Sequence, residues 1–161
     1  MSAVSIEPAR PRDVPLILAM VRELAEYERL ADRVVATEDA LEKHLFGAKP
    51  AAEAVIAMDG DDPVGFALFY TTFSTFLAQA GIWLEDLFVR PEHRARGAGK
   101  ALLRHLARVA VDRGYGRLEW AALDWNEPAL GFYRNLGAEQ IGDWITHRLD
   151  GDAIIRLANG A

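Results

Sequence analysis

The chain has 161 residues, no cysteine, a hydrophobic fraction of 51% and a formal net charge of −6. That length suits a single domain, residues 1–161, and the missing cysteine excludes disulfides, thiolate metal sites and a cysteine nucleophile. The acid excess argues against a nucleic-acid partner, which needs a basic face, and suits a cationic small molecule by long-range attraction.

The most apolar stretches, 64–70 and 76–84, are too short to cross a bilayer, and the N-terminus lacks the basic-then-apolar pattern of a secretion signal. A cytoplasmic protein with no membrane partner is expected. Residues 4–7 read as a first strand. Asp13 reads as the cap of a helix in which Val14, Ile17, Leu18, Val21 and Leu24 recur at helical spacing, with Pro15 in the first turn. A second helix starts after Thr37 and stops near Gly47. Residues 54–58 and 64–72 flank the turn Asp59-Gly60-Asp61-Asp62 and form a hairpin. A third strand, 81–89, runs into a basic turn and then a helix over 97–113 that buries Leu102, Leu103, Leu106, Val109 and Ala110. Residues 118–123 form a strand parallel to 81–89, because a helix crosses over between them. Asn126 caps a helix with Pro128 in its first turn and Gly137 past its end. Two closing strands, 144–149 and 153–157, are expected around Asp150-Gly151. The elements add up to an α/β chain (mixed, α+β-like) with a six- to seven-stranded mixed sheet and helices on both faces.

The turn Arg94-Ala95-Arg96-Gly97-Ala98-Gly99-Lys100 is the most informative segment. Glycines at a strand-to-helix junction leave the first helical N–H groups free, and the helix dipole and basic side chains there favour an anion such as a pyrophosphate. A Walker loop does not fit, because Ala101 follows Lys100. A dinucleotide fingerprint does not fit either, because Leu102 stands where the third glycine belongs.

Glu85 and Asp86 are adjacent carboxylates in an apolar strand. They point to opposite faces unless a bulge intervenes, and each needs a partner or a wet cleft. One reading makes them an amine site that holds an ammonium or accepts its proton through water; the other makes them a structural ion pair. Tyr133 shares its side of a helix with Leu130 and Leu136, and on the residues alone it is a core tyrosine. Tyr27 and Glu28 end the first helix, where an acid is ordinarily solvated. His44, His93, His105 and His147 lack metal-ligand spacing, so no metal site is expected.

The pattern Arg94-x-x-Gly97-x-Gly99 resembles the acyl-CoA loop of the GNAT superfamily of N-acyltransferases. The block from Asp124-Trp125-Asn126-Glu127-Pro128 to Gly131-Phe132-Tyr133-Arg134-Asn135-Leu136-Gly137-Ala138 is similar to the corresponding GNAT block. Glu23-Leu24-Ala25-Glu26-Tyr27-Glu28 and Leu84-Glu85-Asp86-Leu87-Phe88-Val89 resemble the diamine (spermidine/spermine) acetyltransferase group and its thialysine-acetylating relatives. The resemblance covers about residues 6–144.

It implies acetyl-CoA as co-substrate and a small amine, a diamine, polyamine or thialysine-like molecule, as acceptor. Tyr133 is implied as general acid toward the departing thiolate and Glu85 as the group that eases amine deprotonation. Tyr27, Glu28, Glu85 and Asp86 are implied as substrate contacts. Leu87, Phe88 and Val89 are implied along the pantetheine arm and Ala95, Arg96, Gly97, Ala98, Gly99 and Lys100 around the pyrophosphate, with Arg94 at its entrance. Asn126, Glu127, Pro128 and Ala129 are implied beside the CoA arm. A homodimer is also implied. The segment after Gly137-Ala138 is shorter than in the family, which places a further acid only loosely, on Asp143; the loop between Met58 and Val64 is short as well. Two other readings stay open: an acetyltransferase for a protein N-terminus, a lysine or an antibiotic amine, and a non-catalytic acyl-CoA-binding sensor.

Overall fold

A computed structural model describes residues 4–160. The chain divides into two compact units, one through Ala121 and one from Ala122 onward. In the first unit, strands β1 (Ser5–Pro8), β2 (Glu53–Asp59), β3 (Asp62–Ser74), β4 (Gln79–Val89) and β5 (Leu118–Trp120) form one sheet in the order β1-β2-β3-β4-β5. The first four strands pair antiparallel and β5 runs parallel to β4. The parallel pair follows from the helix that connects the two strands, which returns the chain to its starting end. Asp59 pairs with Asp62, so the β2–β3 turn is two residues long, and Gly60 takes the φ of +64° that such a turn needs.

Helices α1 (Val14–Tyr27) and α2 (Glu38–Phe46) cover one face of this sheet. Ile17 and Met20 of α1 and Leu45 of α2 pack with Phe66 of β3 and Phe88 of β4, all buried. Side chains alternate across a strand, so Gly65, Ala67 and Phe69 turn to the opposite face. There α3 (Ala98–Asp112) lies, burying Ala98, Leu102, Leu103, Leu106 and Ala110. The expected layering, helices on both faces of a mixed sheet, holds. At the far end of α3, Arg113 gives Glu53 two hydrogen bonds of 2.7 Å and ties the helix to β2.

Local capping differs at Asp13, and the side chain of Asn126 likewise makes no cap hydrogen bond to the helix that follows it. Thr37 caps α2 as expected, its hydroxyl accepting from Ala40 N at 3.2 Å. Asp13 instead accepts from Arg10 N at 2.8 Å, because a 3-10 turn at Pro11–Asp13 precedes α1 and draws the carboxylate backward.

The second unit contains α4 (Glu127–Asn135) and α5 (Gly151–Ala158). The sheet therefore has five described strands. The expected closing strands do not form: residues 144–149 are irregular and 153–157 lie within α5. Asp150 sits extended at the N-cap position, Asp152 is in the first turn, and Ile154, Leu157 and Ala158 recur at i, i+3 and i+4. Over so short a run the apolar spacing satisfies a helix as well as a strand, and the acidic first turn selects the helix. The strand read over 118–123 is shorter than its pattern, ending at Trp120.

Candidate active site

The two adjacent acids of β4 are the starting point. Leu68 pairs with Asp86 and Phe69 with Leu84, so Glu85 is an extra residue, a β-bulge. A bulge breaks the strict alternation, and Glu85 and Asp86 no longer have to face apart. Asp86 comes under the influence of both Glu85 and Glu28, the residue that ends α1. The result is a three-carboxylate cluster where the end of α1 meets the middle of β4.

Burial, then repulsion from Glu85 and Glu28, pushes the Asp86 carboxyl up to about 6. Burial also raises Glu28. Two residues not singled out from the sequence hold Glu85. Trp83 Nε1 donates to Glu85 Oε2 at 3.0 Å, and the Tyr70 hydroxyl, on the strand alongside, hydrogen-bonds the same carboxylate. Burial and that carboxylate raise the Tyr70 phenol. Tyr70 and Trp83 are cross-strand partners; Trp83 reaches Glu85 from two residues away on the same strand, whereas only strand register brings Tyr70 there, and register was not legible in the sequence. A cluster of carboxylates attracts a cation.

Beyond the bulge, β4 runs on through Leu87, Phe88 and Val89. The β4–β5 ladder covers only Ile82, Trp83 and Leu84, so in this unit no strand pairs with that edge of β4 past Leu84. Apart from the Val89 carbonyl, which accepts from Arg94 Nε, the backbone groups there are available to an extended ligand, in the manner of an added strand.

The chain then turns sharply. Arg90 anchors the turn: its guanidinium donates to both Glu23 oxygens at 3.1 and 3.0 Å and to the Pro63 carbonyl at 3.0 Å. Ala95 has φ +62° and Gly97, the N-cap of α3, has φ +90°. No atom lies within 4 Å of where a Cβ on Gly97 would sit, so the turn is open on that side. Ala98 is buried beneath it, while Arg96 and Lys100 are exposed. No side chain caps α3, and its first-turn N–H groups lack intrahelical acceptors by helix geometry. Room, free donors and two exposed cations are what a diphosphate requires.

Arg94, although exposed, folds its side chain back along the protein. Its Nε donates to the Val89 carbonyl at 2.9 Å, and its guanidinium carbon lies 4.5 Å from the centroid of the Tyr27 ring.

In the second unit, Asn126 is the N-cap of α4, and Glu127, Pro128 and Ala129 form its first turn. Tyr133 is half-buried two turns along, its ring 5.5 Å from that of Phe132. Glu127 is paired with Arg134 along the same helix. Asp143 is exposed in the irregular stretch that follows. The structure thus gathers Tyr27, Glu28, Glu85, Asp86 and the turn at 94–100 in one unit, with 126–129 and Tyr133 together in the other.

Comparison with known proteins is consistent with these features. The Acetyltransferase (GNAT) family pattern matches residues 18–138. Thialysine N-epsilon-acetyltransferase of Sus scrofa is 37% identical over 169 residues, covering 98% of this chain and 99% of the relative. The protein of the same name in Caenorhabditis elegans is 36% identical, with 99% of each chain covered. An L-ornithine N5-acetyltransferase of Arabidopsis thaliana is 31% identical, covering 92% of this chain and 85% of its own. Among solved structures, an integron cassette protein from the mobile metagenome of V. cholerae superposes with a TM-score of 0.81 at 28% identity over 98% of each chain.

Proposed function

The chain belongs to the acetyltransferase (GNAT) family, and on that premise we propose that it moves the acetyl group of acetyl-CoA to a primary amine of a small polycationic acceptor. A diamine, a polyamine or a thialysine-like amino acid fits this description. The bulge at Glu85 carries the reading, because it groups Glu85 and Asp86 with Glu28 beside an open strand edge and an open glycine turn. An acceptor with more than one positive charge has a carboxylate to meet each of them.

Acetyl-CoA supplies an activated thioester. On this reading its diphosphate lies in the turn over residues 95–100 and its pantetheine arm follows Leu87, Phe88 and Val89; Asn126, Glu127, Pro128 and Ala129 of the second unit are proposed as further CoA contacts. Tyr27, Glu28 and Asp86 hold the acceptor. The amine must lose its proton before it can attack, and Glu85 takes that proton through a water molecule. Tyr133 protonates the sulfur as it leaves. We take residues 1–161 as one acetyltransferase domain; the family match runs across the boundary between the two units.

The reading includes a homodimer in the cytoplasm. Phe73, Phe76 and Leu77, exposed around the β3–β4 turn, offer apolar surface to a second copy. No helix among the described residues is long and apolar enough to cross a membrane.

A thiol-release assay with acetyl-CoA and a panel of thialysine, L-ornithine, 1,3-diaminopropane, spermidine and an aminoglycoside tests the proposal. Release with the small di- and polyamines or thialysine supports it. Release with the aminoglycoside alone moves the acceptor class. CoA binding without release from any amine points to the sensor.

A further inference from the structure

We propose that Arg94 is a positioning residue for the acceptor wall and not a ligand of the cofactor diphosphate; this rests on the acetyltransferase reading above. The expectation for this first arginine of the basic turn is a place at the phosphate entrance. Its side chain instead folds back on the protein. Nε–H is bonded to the Val89 carbonyl at 2.9 Å. The guanidinium carbon lies 4.5 Å from the Tyr27 ring centroid and 5.8 Å from that of Phe88.

A lysine can place a charge over a ring, but it lacks the flat guanidinium and the Nε–H that points in a fixed direction while the charge lies there. To reach a phosphate, Arg94 would have to leave the ring and the carbonyl together. Where it stands, it joins the last residues of β4 to Tyr27, one residue before Glu28. The strand that carries the bulge and the helix end that carries the acceptor wall are fastened at this point.

The ring of Tyr27 already has a cation on one face. An acceptor ammonium is therefore left to the carboxylates, and Tyr27 acts as a fixed wall. Arg94 acts through Tyr27 and touches no reacting atom.

Arg94→Met keeps the apolar stem and removes the guanidinium; Arg94→Lys keeps the charge and removes the planar fork. Each is measured for CoA Kd by calorimetry and for acceptor KM and kcat with thialysine and 1,3-diaminopropane. In both variants we expect acceptor KM to rise about two- to fivefold, the size of one cation–π contact at an exposed site, while CoA Kd stays near wild type. Tyr27→Leu should produce a similar KM, the double variant should be no worse than either single one, and Tyr27→Phe should restore most of what Tyr27→Leu loses. A CoA Kd weakened tenfold in Arg94→Met and preserved in Arg94→Lys, with acceptor KM unchanged, would overturn the proposal in favour of a phosphate ligand. So would KM losses that multiply in the double variant. Should wild-type protein release no thiol with any amine, the functional reading fails separately. A denaturation cycle on Arg94 and Tyr27 then still reads the contact, and additive stability losses would reject it.

Discussion

Glu23, on the third turn of α1, accepts two hydrogen bonds from Arg90, at the end of β4. This two-pronged pair is separated by 67 residues in sequence, and its side chains are 36% and 24% exposed. It fixes the distance between the helix that ends in Tyr27 and Glu28 and the strand that opens into the glycine turn. Arg90→Met leaves Glu23 half-buried and the Pro63 carbonyl without this donor. For charged hydrogen bonds with partial solvent screening, a loss of about 1–2 kcal/mol is expected. That corresponds to a drop of roughly 2–8 °C in Tm, measurable by a thermal melt. An unchanged melt would show that the pair contributes nothing.

Asp86 makes stability depend on pH in an unusual direction. Its carboxyl is raised from the ordinary 3.8 to about 6, first by burial and then by Glu85 and Glu28. Between these values the folded protein holds a proton that the unfolded chain has released, so stability falls as pH rises from about 4 to about 6. Below about 4 both states are protonated and the contribution is fully present. Asp86→Asn removes this contribution: at pH 7.5 the variant should be more stable than wild type by about 3 kcal/mol, with the gap closing below pH 4. Chemical denaturation at the two pH values checks this. The same variant should bind a cationic acceptor more weakly, which is the exchange of stability for function expected of a buried charge.

The turn after Arg94 stores backbone strain at an alanine. Ala95 adopts φ +62°, a region that costs an L-residue about 1–2 kcal/mol. Ala95→Gly relieves that cost, offset in part by the greater freedom of glycine in the unfolded chain, so a net gain of about 0.5–1 kcal/mol is expected. Gly97→Ala, at φ +90°, should lose about 1 kcal/mol and weaken CoA binding, because the change falls at the mouth of α3. Melts and calorimetry with CoA distinguish the two. A destabilised Ala95→Gly would show that the turn relaxes in solution.

Kinetics address the proposed chemistry. Tyr133→Phe removes one hydroxyl from a half-buried ring and should lower kcat by roughly 10²-fold or more while leaving CoA Kd nearly unchanged, as for loss of a general acid. Full turnover in that variant would remove Tyr133 from the mechanism. Glu85→Gln should lower kcat with the amine and leave CoA affinity near wild type. Equal damage to both would show that Glu85, held by Trp83 and Tyr70, serves the fold.

Elements with strong local signals were legible in the residue pattern: the α1 stripe through Ile17, the hairpin around Gly60, and the parallel strand after α3; the hairpin turn, read over Asp59-Gly60-Asp61-Asp62, is two residues long. The pattern also located the candidate chemistry, because a glycine-bearing basic turn and paired acids in an apolar strand are visible as residue types. Where periods were short it misled: the apolar spacing in 153–157 served a helix as readily as a strand, and the acidic first turn decided. Packing, not local pattern, sets Glu85 on a bulge, brings Glu28 to the same cluster and folds Arg94 back onto Tyr27. Each of these depends on strand register or on contacts across dozens of residues. Such contacts are set by how faces pack together, and local propensity carries no information about them.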